Sequence, residues 1–119
     1  MTKMTKVIQK EWGVTRLISS GPTFEVWHAS IHAGGTSSVH MHRQKDNEFY
    51  VISGALRVES IGGGARLVEG TQCTLERGEW HQFHALTDVE LIETYTVSEG
   101  ELLDSEDIVR AKDQEVLVG

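Results

Sequence analysis

Gly34-Gly35-Thr36-Ser37-Ser38-Val39-His40-Met41-His42-Arg43-Gln44-Lys45-Asp46-Asn47-Glu48-Phe49-Tyr50-Val51-Ile52-Ser53-Gly54 is the stretch whose reading decides the fold. Glycines bound it at both ends, and its apolar and β-branched residues do not recur at helical period, so it reads as strand, loop and strand. His40 and His42 stand two apart. Successive side chains on a strand point to opposite faces, so the two imidazoles share a face about 7 Å apart along the chain, where one metal ion reaches both. Neutral imidazole suits Zn, Fe, Ni, Cu or Mn, whereas Ca or Mg prefer oxygen ligands.

The same pattern runs to either side. With one proline, twelve glycines and many β-branched residues in 119, the chain reads as short strands joined by glycine turns. Strands are predicted at Val14–Ser19, Phe24–His32, Val39–Arg43, Glu48–Ile61, Arg66–Val68, Thr71–Leu75, His81–Ala85 and Val89–Val97. Their breaks fall at Gly34–Gly35, Gly54, Gly62–Gly64, Gly70 and Gly78. That number of strands in one short chain fits an all-β jelly roll or closed barrel. The triple glycine needs only a turn to explain it, since no helix start comes after it to make a phosphate cradle. His81 opens a strand just after a glycine turn, where an antiparallel barrel would bring it across from His40 and His42. After Gly100, Asp104-Ser105-Glu106-Asp107 reads as an N-cap with an acidic first turn, which predicts a short C-terminal helical turn, then an extended piece at Val116–Val118.

Spacing adds a family resemblance. Gly34, five residues, His40-Met41-His42, four residues, position 47, six residues and Gly54 resemble the first motif of the cupin superfamily at every interval. Gly70, five residues, position 76, one residue, Gly78, two residues and His81 resemble its second. The resemblance implies a cupin jelly-roll barrel, the double-stranded β-helix, over residues 1–119 as a single domain with its barrel core at about 14–98. It also implies one divalent transition metal (Mn, Fe, Ni or Zn) on His40, His42 and His81. A Glu normally comes after the histidines, and Asn47 stands at that interval. Asparagine offers a neutral carbonyl oxygen, a weaker ligand for a divalent cation. Glu48 is one residue off, which on a strand turns it to the opposite face unless a bulge intervenes, so Asn47 is expected near the metal and Glu48 outside. Glu76 and Ala85 replace a usual proline and asparagine at turn and packing positions.

In the last long strand Val89, Leu91, Glu93, Tyr95 and Val97 alternate with Glu90, Ile92, Thr94 and Thr96. If the first set faces inward, Glu93 is a carboxylate inside an apolar barrel and a candidate general acid or base; if Ile92 faces inward, Glu93 is solvated. Parity also puts Phe83 beside His81 as an aromatic wall and turns His84 away. His28 and His32 read as structural, and Trp27 and Trp80 as core or interface aromatics. Arg43 and Lys45 are solvated charges unless an anionic substrate meets them at the barrel mouth.

Composition excludes other classes. A net charge of −7 without a basic run repels nucleic-acid backbones. No apolar run is long enough to span a bilayer, and the N-terminus lacks the apolar core of a signal peptide, so a cytoplasmic protein is expected. The lone Cys73 has no disulfide partner in the chain and reads as a small buried hydrophobe. Lys10-Glu11-Trp12-Gly13, the segment from His40 to Gly54, and Leu91-Ile92-Glu93 with Glu106-Asp107-Ile108-Val109-Arg110 are similar to the C-terminal domain of bifunctional mannose-1-phosphate guanylyltransferase/mannose-6-phosphate isomerases. That resemblance implies metal-dependent aldose–ketose isomerisation of a sugar phosphate; with the inward reading of Glu93, the expectation is a metal-dependent enzyme whose small-molecule ligand is a small polar metabolite such as a sugar or sugar phosphate, with Glu93 moving a proton. A three-histidine iron dioxygenase and a non-catalytic binding or sensing module are the alternatives on the same frame. Pairing through the apolar N-terminal strand makes a homodimer the expected assembly.

Overall fold

In the strand Phe24–Ile31, Glu25, Trp27, Ala29 and Ile31 are buried and the residues between them are not, the alternation of a sheet with one face on a core. A computed structural model describes residues 6–112. Its strands are β1 (Val7–Lys10), β2 (Gly13–Gly21), β3 (Phe24–Ile31), β4 (His40–Met41), β5 (Asp46–Ser53), β6 (Ala55–Ser60), β7 (Gly63–Val68), β8 (Gln72–Leu75), β9 (His81–Ala85), β10 (Val89–Thr96) and β11 (Val109–Arg110). They form two antiparallel sheets, ordered β1-β2-β3-β10-β5-β8 and β11-β4-β9-β6-β7. There is no helix among the described residues, and therefore none long and apolar enough to cross a membrane.

The inner faces meet in one core that includes Ala29, Phe49, Val51, Leu56, Phe83 and Leu91. Phe49 packs edge-on against Phe83, and Phe83 edge-on against Trp12, so aromatic rings fill the space between the sheets. The half-buried Cys73 packs against this core from β8.

The predicted strands all form, with changes at their ends that have local causes. The Glu48–Ile61 run divides at Gly54, whose φ of +89° suits glycine and where a Cβ would stand 2.1 Å from the Asp88 carbonyl oxygen. The strand expected at Val39–Arg43 is only two residues long. Beyond it the Arg43 and Gln44 amides leave the ladder and donate to the Asp107 carboxylate, at 2.9 and 2.8 Å. β1 and β11 lie outside the predicted 14–98 core and were not anticipated.

The C-terminal helical turn is corrected to a single tight turn. Asp104 does cap it, its carboxylate accepting from the Glu106 amide at 2.9 Å, and the Asp107 amide donates to the Asp104 carbonyl. The Ile108 amide then donates to the Glu106 carbonyl, a two-residue closure that no helix continues. The chain enters β11, whose Val109 and Arg110 pair with Met41 and His40. Val116–Val118 lies outside the described residues.

Candidate metal centre

Two pairings bring the three histidines together. His40 on β4 is the register partner of His81 on β9, and directly opposed residues of an antiparallel pair share a face. His42 comes just after β4, its carbonyl accepting from the Gly78 amide and so tied to the turn before β9. The ring centroids lie 4.4 Å apart for His40 and His81, 5.3 Å for His40 and His42, and 5.6 Å for His42 and His81. One ligand nitrogen from each lies within 4.8 Å of the others, and all three residues are buried.

The outer nitrogen of each ring is committed. His40 Nδ1 lies 2.9 Å from the Ser38 carbonyl oxygen, His42 Nδ1 2.6 Å from that of Asp107, and His81 Nδ1 2.9 Å from that of Glu79. A carbonyl oxygen only accepts, so each Nδ1 carries the proton and each Nε2 keeps a lone pair. His42 Nε2 and His81 Nε2 are buried and have no hydrogen-bond partner in the protein. Burial, together with the neighbouring imidazoles, lowers the His40 pKa to about 3. Burial, with the Lys45 charge assisting, lowers that of His42 to about 4. Burial also depresses His81. Neutral rings with fixed tautomers and convergent lone pairs are what an imidazole-bound transition metal requires.

Asn47 and Glu48 fall as parity predicts, because the register of β5 with β10 is continuous there. Asn47 is 1% exposed, and its Oδ1 is another buried atom without a partner. Its Nδ2 donates to Glu93 Oε2 at 3.3 Å. Glu48 lies on the other face of the strand, only part-buried. The question left open for Glu93 is settled by register: it pairs with Trp27 and Phe49, both buried inward residues. Burial raises the Glu93 pKa, while the Tyr95 hydroxyl and the Asn47 amide work the other way. Burial and the Glu93 charge push Tyr95 well up.

A cavity of about 200 Å³ lies between the sheets. His40, His42 and Glu93 are on its wall, with Phe83 and Phe49 as the aromatic side. His84 turns outward to Thr36, His28 meets Glu90 on the outer face, and His32 Nε2 lies 2.8 Å from the Glu11 carbonyl oxygen, the structural parts expected of them.

Lys45 differs from its solvated expectation. It is 3% exposed, with Nζ donating to the Asp104 carbonyl at 3.0 Å and standing 4.3 Å over the Tyr95 ring. Glu25 was not singled out, yet it lines the cavity and accepts from Trp27 Nε1 and from the Ser105 hydroxyl. Its position in the inward set of β3 was the available signal. Asp107, whose carbonyl fixes His42 and whose carboxylate holds the loop after it, stood in the sequence only as part of the acidic turn and of the stretch similar to the guanylyltransferase/isomerase domain, with nothing to point to these contacts.

Residues 27–95 match the Cupin domain family, a span that contains all three histidines. This chain belongs to the cupins. The cupin is 26% identical over 112 residues to mannose-1-phosphate guanylyltransferase of Klebsiella pneumoniae, which covers 94% of this chain and 24% of that protein. It is 29% identical over 108 residues to the xanthan biosynthesis protein XanB of Xanthomonas campestris, covering 89% of this chain and 22% of the relative. The chain thus spans about a quarter of these relatives' length. Streptomyces PAC13, solved with uridine, superposes with a TM-score of 0.76 at 12% identity, covering 91% of this chain and 85% of that one, a likeness of fold alone.

Proposed function

We propose that this cupin is a metal-dependent enzyme acting on a small polar metabolite, with isomerisation of a sugar or sugar phosphate as its reaction. The observation that carries the proposal is the set of three imidazoles whose Nδ1 protons are held by backbone carbonyls and whose Nε2 lone pairs converge beside a cavity that Glu93 also lines. His40, His42 and His81 hold the metal, and the unpartnered Asn47 Oδ1 completes the set. Such a cation, when bound, supplies Lewis-acid polarisation of a substrate carbonyl or hydroxyl oxygen.

The chain's own residues do the rest. Glu93 removes the proton from the hydroxyl-bearing carbon beside the carbonyl and returns it to the former carbonyl carbon, while the proton of that hydroxyl passes to the former carbonyl oxygen, which interconverts aldose and ketose without net change of atoms. The Asn47 amide holds one Glu93 oxygen, and the Tyr95 hydroxyl stands beside the carboxylate. Phe49 and Phe83 exclude water from one side of the cavity. Inward-facing Glu25 and Glu93 favour catalysis over passive holding, since a binding barrel for the same ligand has no need of a buried carboxylate.

Elemental analysis of protein purified without chelator, beside a His40→Ala/His42→Ala variant, tests the centre. About one equivalent of Mn, Fe, Ni or Zn in the wild type and none in the variant is expected. Wild type that holds no metal and takes up none on loading would end the proposal. NMR of mannose 6-phosphate with the metal-loaded protein tests the reaction separately, and absence of conversion would remove the isomerase assignment.

A further inference from the structure

The chain carries 18 acidic and 11 basic residues, yet the cavity wall reverses that balance, with Lys10, Lys45 and Arg110 against Glu25 and Glu93. Two of the three cations are uncommitted. Lys45 is spent on the Asp104 and Ser105 carbonyls and on the Tyr95 ring. Lys10 and Arg110 are exposed residues that reach the same cavity, so they stand at its mouth, and among the described residues neither forms an ion pair.

Register determines their placement. Arg110 on β11 is the Cα partner of His40 on β4, so its side chain leaves the backbone on the same face as a proposed metal ligand. Lys10 shares a face of β1 with Ile8, two residues earlier, and both reach the cavity. The proposed ligand set adds to the imbalance: three imidazoles and an amide are all neutral, so a divalent cation there keeps its whole charge.

We propose that the ligand of this site is a small anion bearing a carboxylate or phosphate, and that Arg110, assisted by Lys10, binds that group at the cavity mouth. The planar guanidinium fork matches either oxyanion with paired hydrogen bonds, and the strand pairing holds it beside the metal ligands. This deepens the metal-enzyme reading and rests on it for the orientation of the rest of the ligand.

Trp12 and Trp27 line the cavity, so their fluorescence reports occupancy. Zinc-loaded full-length protein is titrated with glucose, glucuronate and glucose 6-phosphate, which separates the neutral ring from its carboxylate and phosphate forms. At least one anion is expected to bind about tenfold or more tightly than glucose, with the advantage shrinking in high salt. The tighter of the two identifies the oxyanion. Arg110→Gln is expected to lose about tenfold for that anion, and Lys10→Gln about threefold, while glucose binding and zinc content stay unchanged. Equal binding of all three, no binding of either anion at about 10 mM, or full anion affinity in both variants would overturn the proposal. Protein that takes up no zinc would refute the metal centre, and the same titration on metal-free protein would still read the anion preference.

Discussion

Acidification from pH 7 to 5 is expected to destabilise the metal-free protein through the histidine cluster itself. An unfolded histidine takes its proton near pH 6.5, whereas His40 and His42 in the fold resist protonation down to about 3 and about 4. Their contribution is therefore complete above pH 6.5. It is lost progressively as the pH falls through the window down to those folded values, because there the unfolded chain binds protons that the fold refuses. At pH 5 each histidine lies about 1.5 pH units below its unfolded value, worth about 2 kcal/mol at 1.36 kcal/mol per unit, so the pair costs about 4 kcal/mol. His81 is depressed as well and adds to this loss. Glu93 acts oppositely: its raised pKa means that the fold is relieved of a buried charge as pH falls. Comparison with a His40→Gln/His42→Gln variant, which retains Glu93 and His81, isolates the pair. Urea unfolding of both chelator-treated proteins at pH 7, 6 and 5 should show the wild-type midpoint falling by about 2 M more than the variant's, at a slope near 2 kcal/mol/M. Imidazole proton shifts in the wild type give a second reading, with two rings untitrated at pH 5. Equal midpoint shifts in the two proteins, or titration of the His40 and His42 rings themselves near pH 6.5, would refute the account of a neutral, backbone-pinned cluster.

Two substitutions test the residues around the cluster. Asn47→Glu is expected to tighten metal binding at least tenfold in a chelator competition and to cost the metal-free protein about 1–3 kcal/mol, because the new carboxylate would stand beside Glu93 in a buried site; unchanged affinity would remove position 47 from the ligand set. Asp107→Ala deletes the acceptor of the Arg43 and Gln44 amides, so urea unfolding should show a loss of about 2–3 kcal/mol and chelator competition about tenfold weaker metal binding. An unaltered metal affinity would mean that the His42 ring keeps its orientation without that loop.

Legibility in the sequence divides along the range of the interaction concerned. Period-2 alternation is local, and it placed Asn47 inward and Glu48 outward because no bulge interrupts their pairing with Tyr95 and Thr94. The same rule left Glu93 ambiguous, since Ile92 is as good an inward candidate by hydrophobicity; only the pairing with Trp27 and Phe49 chooses between them. His81 was legible through glycine spacing, which encodes where turns fall and hence which strands can meet. Lys45, Asp107 and Arg110 were not legible, because each acquires its part from a segment some sixty or seventy residues distant in the chain. The N-cap signal at Asp104 was physically real and still misleading: a cap satisfies the first amides of a turn whether or not a helix continues from it. Here the chain continues as a strand, because pairing Val109 and Arg110 with Met41 and His40 satisfies backbone groups that a free helix end would leave to water. That choice gives residues 104–110 their importance. One short segment fixes the His42 tautomer, caps the loop beyond it, accepts the buried Lys45 ammonium and carries Arg110 to the cavity mouth, so the metal ligands and the proposed anion contact are positioned by the same backbone.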